Sequence, residues 1–186
     1  MSTNLLSLTS SRPILLPYSG MRAVVIQTVL LTSAVVLPIA AHMLQAPVRI
    51  LLPMHWPVLL AGLLYGWRAG AVTGALAPLL SYLVSGYPMP NILPSMTFEL
   101  FAYGSIAGIL RERYNLNPFL SIGTAVLVGR IIFVFFVIVT NRATFSDTDY
   151  FQRALLPGII PALVQIVTLP FLAQWLVRLS KKNESL

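Results

Sequence analysis

The chain has 186 residues, 57% of them hydrophobic and 9% charged, with a mean hydropathy of +0.83. A water-soluble domain carries about a quarter charged residues, so this composition excludes an aqueous globular fold and points to a bilayer as solvent. The formal charge of +7 comes from basic residues scattered at segment ends, which fits membrane orientation and not nucleic-acid binding; without cysteine there is no disulfide, thiolate metal site or cysteine nucleophile.

Residues 1–21 are Ser/Thr/Pro-rich, and no basic run leads into an apolar core with a small-residue cleavage site. They predict a cytoplasmic tail and not a cleaved signal. The first span is predicted within Ala23–Val48, with Pro38 as a kink. The second lies within Ile50–Trp67, is short, and begins near Pro57. The third starts at Ala69 and stops before Gly86–Pro94 (GYPMPNILP), where three prolines in nine residues forbid regular helix. The fourth runs from Ser95 to Leu110. The fifth lies between Asn117 and Asn141, interrupted only by Arg130. The sixth is Ala154–Val177, followed by a basic tail.

These spans of roughly 16–24 residues suit a hydrocarbon core of about 30 Å. The expectation is an all-α integral membrane protein with six transmembrane helices. It divides into an N-terminal tail (1–21), a membrane domain (22–178) and a C-terminal tail (179–186). With six spans, one side collects Arg12, Arg22, Arg68, Arg111, Arg113, Arg178, Lys181 and Lys182. The other collects Arg49, Arg142 and Arg153, with Asp147 and Asp149. The asymmetry predicts that both termini are cytoplasmic.

Gly62, Gly66, Gly70 and Gly74 recur at four-residue spacing. At helical spacing they share one face, a groove without side chains through which membrane helices approach closely. They predict tight helix packing or a sliding partner surface.

Arg130 stands near mid-membrane, too far from either helix end for easy snorkelling. An unpaired arginine there costs about 2.5–3.5 kcal/mol on insertion scales. Four of the five acids (Glu112, Asp147, Asp149, Glu184) fall in loops or tail, so elimination leaves Glu99 as its partner. The pair is either a static element of packing or part of a polar cavity opening outward. Tyr103 follows Glu99 by four residues, on the same face. Gln165 sits near the middle of the sixth span, and Gln27 near the inner end of the first, where an interhelical hydrogen bond is the favoured reading. His55 and Trp56 fall at the outer boundary, Trp56 as an interfacial anchor. His42 is not at metal-ligand spacing from His55, so no metal site is expected. Asn91 is the only amide in the outer loop GYPMPNILP, a lid or a plain connector; residues 141–153 form the other outer loop. No GxSxG, HExxH or P-loop is present, so neither ordinary catalysis nor ATP hydrolysis is expected of this chain.

The segments PMHWPVLLAGLLYGWRAGAVTGALAPLLSYLVSGYPMP and MTFELFAYGSIAGIL resemble the substrate-binding S components of energy-coupling factor (ECF) vitamin transporters. The resemblance is close over about a third of the chain, and size and six-span topology extend it. It implies a non-enzymatic subunit of a bacterial or archaeal cytoplasmic membrane that binds a vitamin or related micronutrient from outside. It also implies a transmembrane coupling subunit and two cytoplasmic ATPases as partners. Many S components carry Ala-x-x-x-Ala on the first helix for docking. Here only Ala23 with Gln27, or Thr28 with Thr32, approaches that pattern, which leaves open whether the chain works alone or with a shared module.

On this reading Arg130, Glu99, Tyr103 and Gln165 line the binding cavity, with His55, Trp56 and Asn91 near its mouth, and no cofactor is required. Arg130 could hold a carboxylate such as that of pantothenate. If Glu99 neutralises it, the ligand could be neutral, or a corrinoid approached by His55. The alternatives are a membrane-embedded enzyme using Glu99 and Arg130, and an assembly subunit in which the glycines only pack helices.

Overall fold

The computed structural model describes residues 15–140 and 148–184. Outside them fall most of the N-terminal tail with Arg12, the loop residues Asn141, Arg142 and Asp147, and the last two residues. The side chains of Arg49, Lys181, Lys182 and Glu184 are likewise not described. The described chain is all helical: α1 (Gly20–Met43), α2 (Val48–Leu51), α3 (His55–Tyr65), α4 (Trp67–Ser85), α5 (Leu93–Glu112), α6 (Pro118–Val139), α7 (Thr148–Leu155) and α8 (Ile159–Glu184). A 3-10 turn (Leu156–Gly158) joins the last two. Four stretches are long and apolar enough to cross a bilayer: Gly20–Met43, Leu93–Glu112, Pro118–Val139 and Thr148–Ser180. Their lipid-facing residues are exposed and apolar, among them Val29, Leu127, Ile131, Leu163 and Phe171. This is a multi-pass membrane protein.

The helix boundaries follow local chemistry. Gly86 takes φ +76°, a left-handed stop to α4 that an L side chain resists. Pro94 lies in the first turn of α5, where no N–H is needed from it. Asn117 caps α6, its Oδ1 accepting from Phe119 N at 3.0 Å, with Pro118 next. Pro38, Pro78 and Pro170 lie inside continuous helices.

The second predicted span is short and begins near Pro57 as expected, with α3 starting at His55, but its length is corrected. The single turn α2 and a left-handed Leu52 (φ 44°) take the first part of Ile50–Trp67 and leave α3 only 11 residues. At 1.5 Å per residue α3 is about 16 Å long, too short to cross a bilayer alone. It survives because ten of its residues are buried, so its ends meet protein and not lipid.

The glycine ladder is corrected with it. The four glycines do not share one helix, because Gly66 (φ +84°, ψ −169°) is the turn between α3 and α4. They nonetheless converge on one neighbour, α5. A Cβ on Gly62 would sit 2.6 Å from the Gly104 carbonyl oxygen. One on Gly70 would fall on the Gly104 backbone, and one on Gly74 on that of Leu100. In return, a Cβ on Gly104 would strike Gly70, and one on Gly108 would strike Gly66 and Trp67. The chain therefore packs two helices backbone to backbone against a third, where every added carbon has no space to occupy.

Polar bonds tie the remaining helices to this core. Gln27 of α1 donates from Nε2 to Thr73 Oγ1 (2.6 Å) and Ala69 O (3.2 Å) of α4. Glu112 Oε2 accepts from Trp67 N at 3.2 Å, supplying negative charge at the N-terminus of α4. Leu16 N donates to Leu64 O at 2.8 Å, laying the segment before α1 across the end of α3.

Gly70→Ala should lower stability by about 1–3 kcal/mol, the usual cost of overpacking. Gly123→Ala, whose Cβ would meet nothing nearer than Ile166 Cδ1 at 4.0 Å, should leave it unchanged or higher. Thermal unfolding in detergent reads both, and equal midpoints for the two variants would remove the close-packing account.

Candidate functional site

The polar centre of the bundle is built from three helices. Along α5, Glu99 and Tyr103 are one turn apart, and the Tyr103 hydroxyl donates to Glu99 Oε1 at 2.9 Å. From α6, Arg130 Nη1 lies 3.1 Å from the same oxygen. From the first turn of α3, the His55 ring packs against the Tyr103 ring, centroids 5.2 Å apart and tilted by 60°. Glu99 is 3% exposed, Tyr103 1% and His55 2%, while the Arg130 side chain keeps 20%.

Two glycines make room for the cluster. A Cβ at Gly129 would collide with the Tyr103 ring, and one at Gly158, in the 3-10 turn, would collide with the Arg130 guanidinium. Neither glycine stood out in the sequence. The only signals were that Gly129 directly precedes the intramembrane arginine and that Gly158 follows a proline in a span-opening LPG.

The electrostatics are those of a neutral site. A buried ion pair held by good geometry and a further hydrogen bond offsets the desolvation of both charges; either charge alone would not be tolerated. Neither ring nitrogen of His55 makes a well-formed hydrogen bond among the described residues; the ring has only a weak contact with the Leu52 backbone. Buried polar atoms are almost always satisfied, so His55 marks a place where a partner is missing.

The other residues singled out from the sequence are placed less centrally. Gln165 of α8 is 1% exposed, and its Nε2 is unpartnered. No hydrogen bond or ion pair among the described residues links it to Glu99, Tyr103 or Arg130. Trp56 is half-buried and donates from Nε1 to Leu51 O at 3.2 Å, within its own segment. Asn91 is exposed on the loop before α5. His55 is buried within the protein, 2% exposed, because nearly all of α3 is enclosed by its neighbours. Two cavities, of about 140 and 230 Å³, open at the end of the bundle that carries the termini, and neither is lined by a residue of the cluster. Among the described residues, no three His, Asp or Glu side chains converge as metal ligands would.

A family model described as ECF transporter, substrate-specific component, matches residues 22–177. Neither the curated proteins nor the solved structures gave a match.

Removing one member of the pair should cost more than removing both. Glu99→Leu, which strands Arg130, is expected to destabilise by about 3–5 kcal/mol. The Glu99→Leu/Arg130→Met double variant should recover part of that loss. Unfolding midpoints of the single and double variants test the coupling; simple additivity would mean that the two charges do not depend on each other.

Proposed function

Since the chain belongs to the family of substrate-specific components of ECF transporters, we propose that it binds one vitamin-like micronutrient from outside the cell. Partner subunits then import that ligand at the expense of ATP. As a member of this family the chain is a transport subunit and not an enzyme. Its partners on this reading are a transmembrane coupling subunit and two cytoplasmic ATPases. The membrane is the cytoplasmic membrane of a bacterium or archaeon, crossed six times, with the broken α2–α3 segment as the second crossing. Both termini are cytoplasmic, in line with the arginines 22, 68, 111, 113 and 178 at that end.

The observation that carries the site is His55. An imidazole buried beside an ion pair, with no well-formed hydrogen bond at either nitrogen, is costly unless a ligand supplies the missing bond. Gln165 Nε2 is a second buried donor of the same kind. With Glu99 already holding Arg130, the site offers no free cation. That favours an uncharged or corrinoid ligand over a carboxylate such as pantothenate. On this reading Trp56 and Asn91 stand near the mouth of the site.

The test is purification in mild detergent, mass spectrometry of any retained small molecule, and calorimetric titration with a vitamin panel that includes pantothenate and cobalamin. One tight ligand is expected. His55→Ala should weaken it at least about tenfold, the value of one lost bond to a buried group, with an unchanged unfolding temperature. Failure of every compound in the panel, or full affinity in folded His55→Ala, overturns the reading.

A further inference from the structure

At the end of the bundle that carries the termini, α5, α6 and α8 leave a cavity of about 230 Å³. Its lining combines the apolar Leu63, Pro118, Ala173 and Val177 with Arg111, Arg178 and Gln174. Among the described residues no acidic side chain lines it. Arg111 spends one nitrogen, Nη1, on Leu116 O at 2.7 Å. Its remaining donors are free to bind. Arg178 is exposed and makes no hydrogen bond or ion pair among the described residues.

The contrast with Arg130 is instructive. Deep in the bundle one guanidinium is neutralised by its own carboxylate. At this cavity two arginines line one space that no acidic side chain lines among the described residues, so a bound anion would be attracted by both. Guanidinium forks match the oxygens of a phosphate better than those of a single-atom ion. The cavity also lies beside the C-terminus of α5 and the N-terminus of α6, where two of the apolar spans end, with apolar residues beside the charges.

We propose that this cavity binds the phosphate of an anionic phospholipid. Arg111 and Arg178 take the phosphate oxygens, Gln174 donates to an ester or glycerol oxygen, and the first methylenes of an acyl chain lie along Leu63 and Val177. Basic pockets between helices at a membrane surface bind anionic headgroups in this way. A zwitterionic headgroup fits less well, because its ammonium would meet two unpaired arginines.

Purified protein in detergent is titrated with phosphatidylglycerol, with phosphatidylcholine of the same acyl chains, and with inorganic phosphate. Bound lipid is counted by native mass spectrometry, and the unfolding temperature is followed in parallel. Phosphatidylglycerol should bind and raise the unfolding temperature, with apparent affinity at least about tenfold lower in Arg178→Gln, the value of one lost charge-assisted bond. Arg111→Gln should act in the same direction. Should that variant fail to fold for want of the Leu116 bond, Arg178→Gln decides alone. Arg68→Gln, at the same end but stacked on Trp67 outside the cavity, should bind like the wild type. Equal binding of the two lipids, an undiminished response in Arg178→Gln, or a shift reproduced in full by inorganic phosphate would each overturn the assignment.

Discussion

Along α5, Leu100, Gly104 and Gly108 turn bare backbone towards two helices at once: Gly62 of α3 and Gly70 of α4 both close on Gly104, and Gly74 closes on Leu100. In lipid there is no gain from expelling water between apolar helices, so association rests on the dispersion that such close approach allows. The short α3 depends on this contact. Eleven residues cannot hold their own ends in hydrocarbon, and the polar groups freed at both ends are tolerable only inside protein. Gly66 supplies the turn that folds α3 back into α4 so that both can lie against the same surface of α5.

The same contact sets the rotation of α5. With its glycines fixed towards α3 and α4, Glu99 and Tyr103 stand about 100° further round the helix and face α6. There Gly129 admits the Tyr103 ring, and Arg130 meets Glu99. A charge pair in this setting is retained for what it does, since apolar packing of equal volume would serve stability as well or better. His55 joins the cluster because the first turn of α3 buries it against the Tyr103 ring.

The arginines of this protein thus fall into two kinds, divided by desolvation. Arg130 is far from headgroups and water, and carries its counter-ion with it. Arg111, in the last turn of α5, and Arg178, exposed near the end of α8, can keep their charge towards the interface, and Arg111 also meets the negative end of its helix dipole. The first kind shapes an internal polar site, and the second lines a cavity at the end of the bundle.

Much of this was legible in the sequence. Composition fixed the solvent, long uncharged runs located α1, α5, α6 and α8, and proline and glycine marked where α4 stops and α5 starts. Glu99 stood out as the partner of Arg130 by elimination alone, since an intramembrane charge needs a counter-charge and one acid was within reach. Gln27 was readable as an interhelical bond for the same reason. What could not be read was which way the backbone turns at Gly66. Four-residue glycine spacing fits one continuous helix as well as two helices folded on a third, and only contact with Gly104 and Gly108 distinguishes them. The burial of His55, the space left by Gly129 and Gly158, and the presence of Arg111 and Arg178 in the lining of one cavity depend likewise on neighbours distant in the chain. Solvent, span and charge balance are sums over local residues and belong to the sequence. Helix breaks in a buried segment, and the faces that side chains present to one another, are decided by packing.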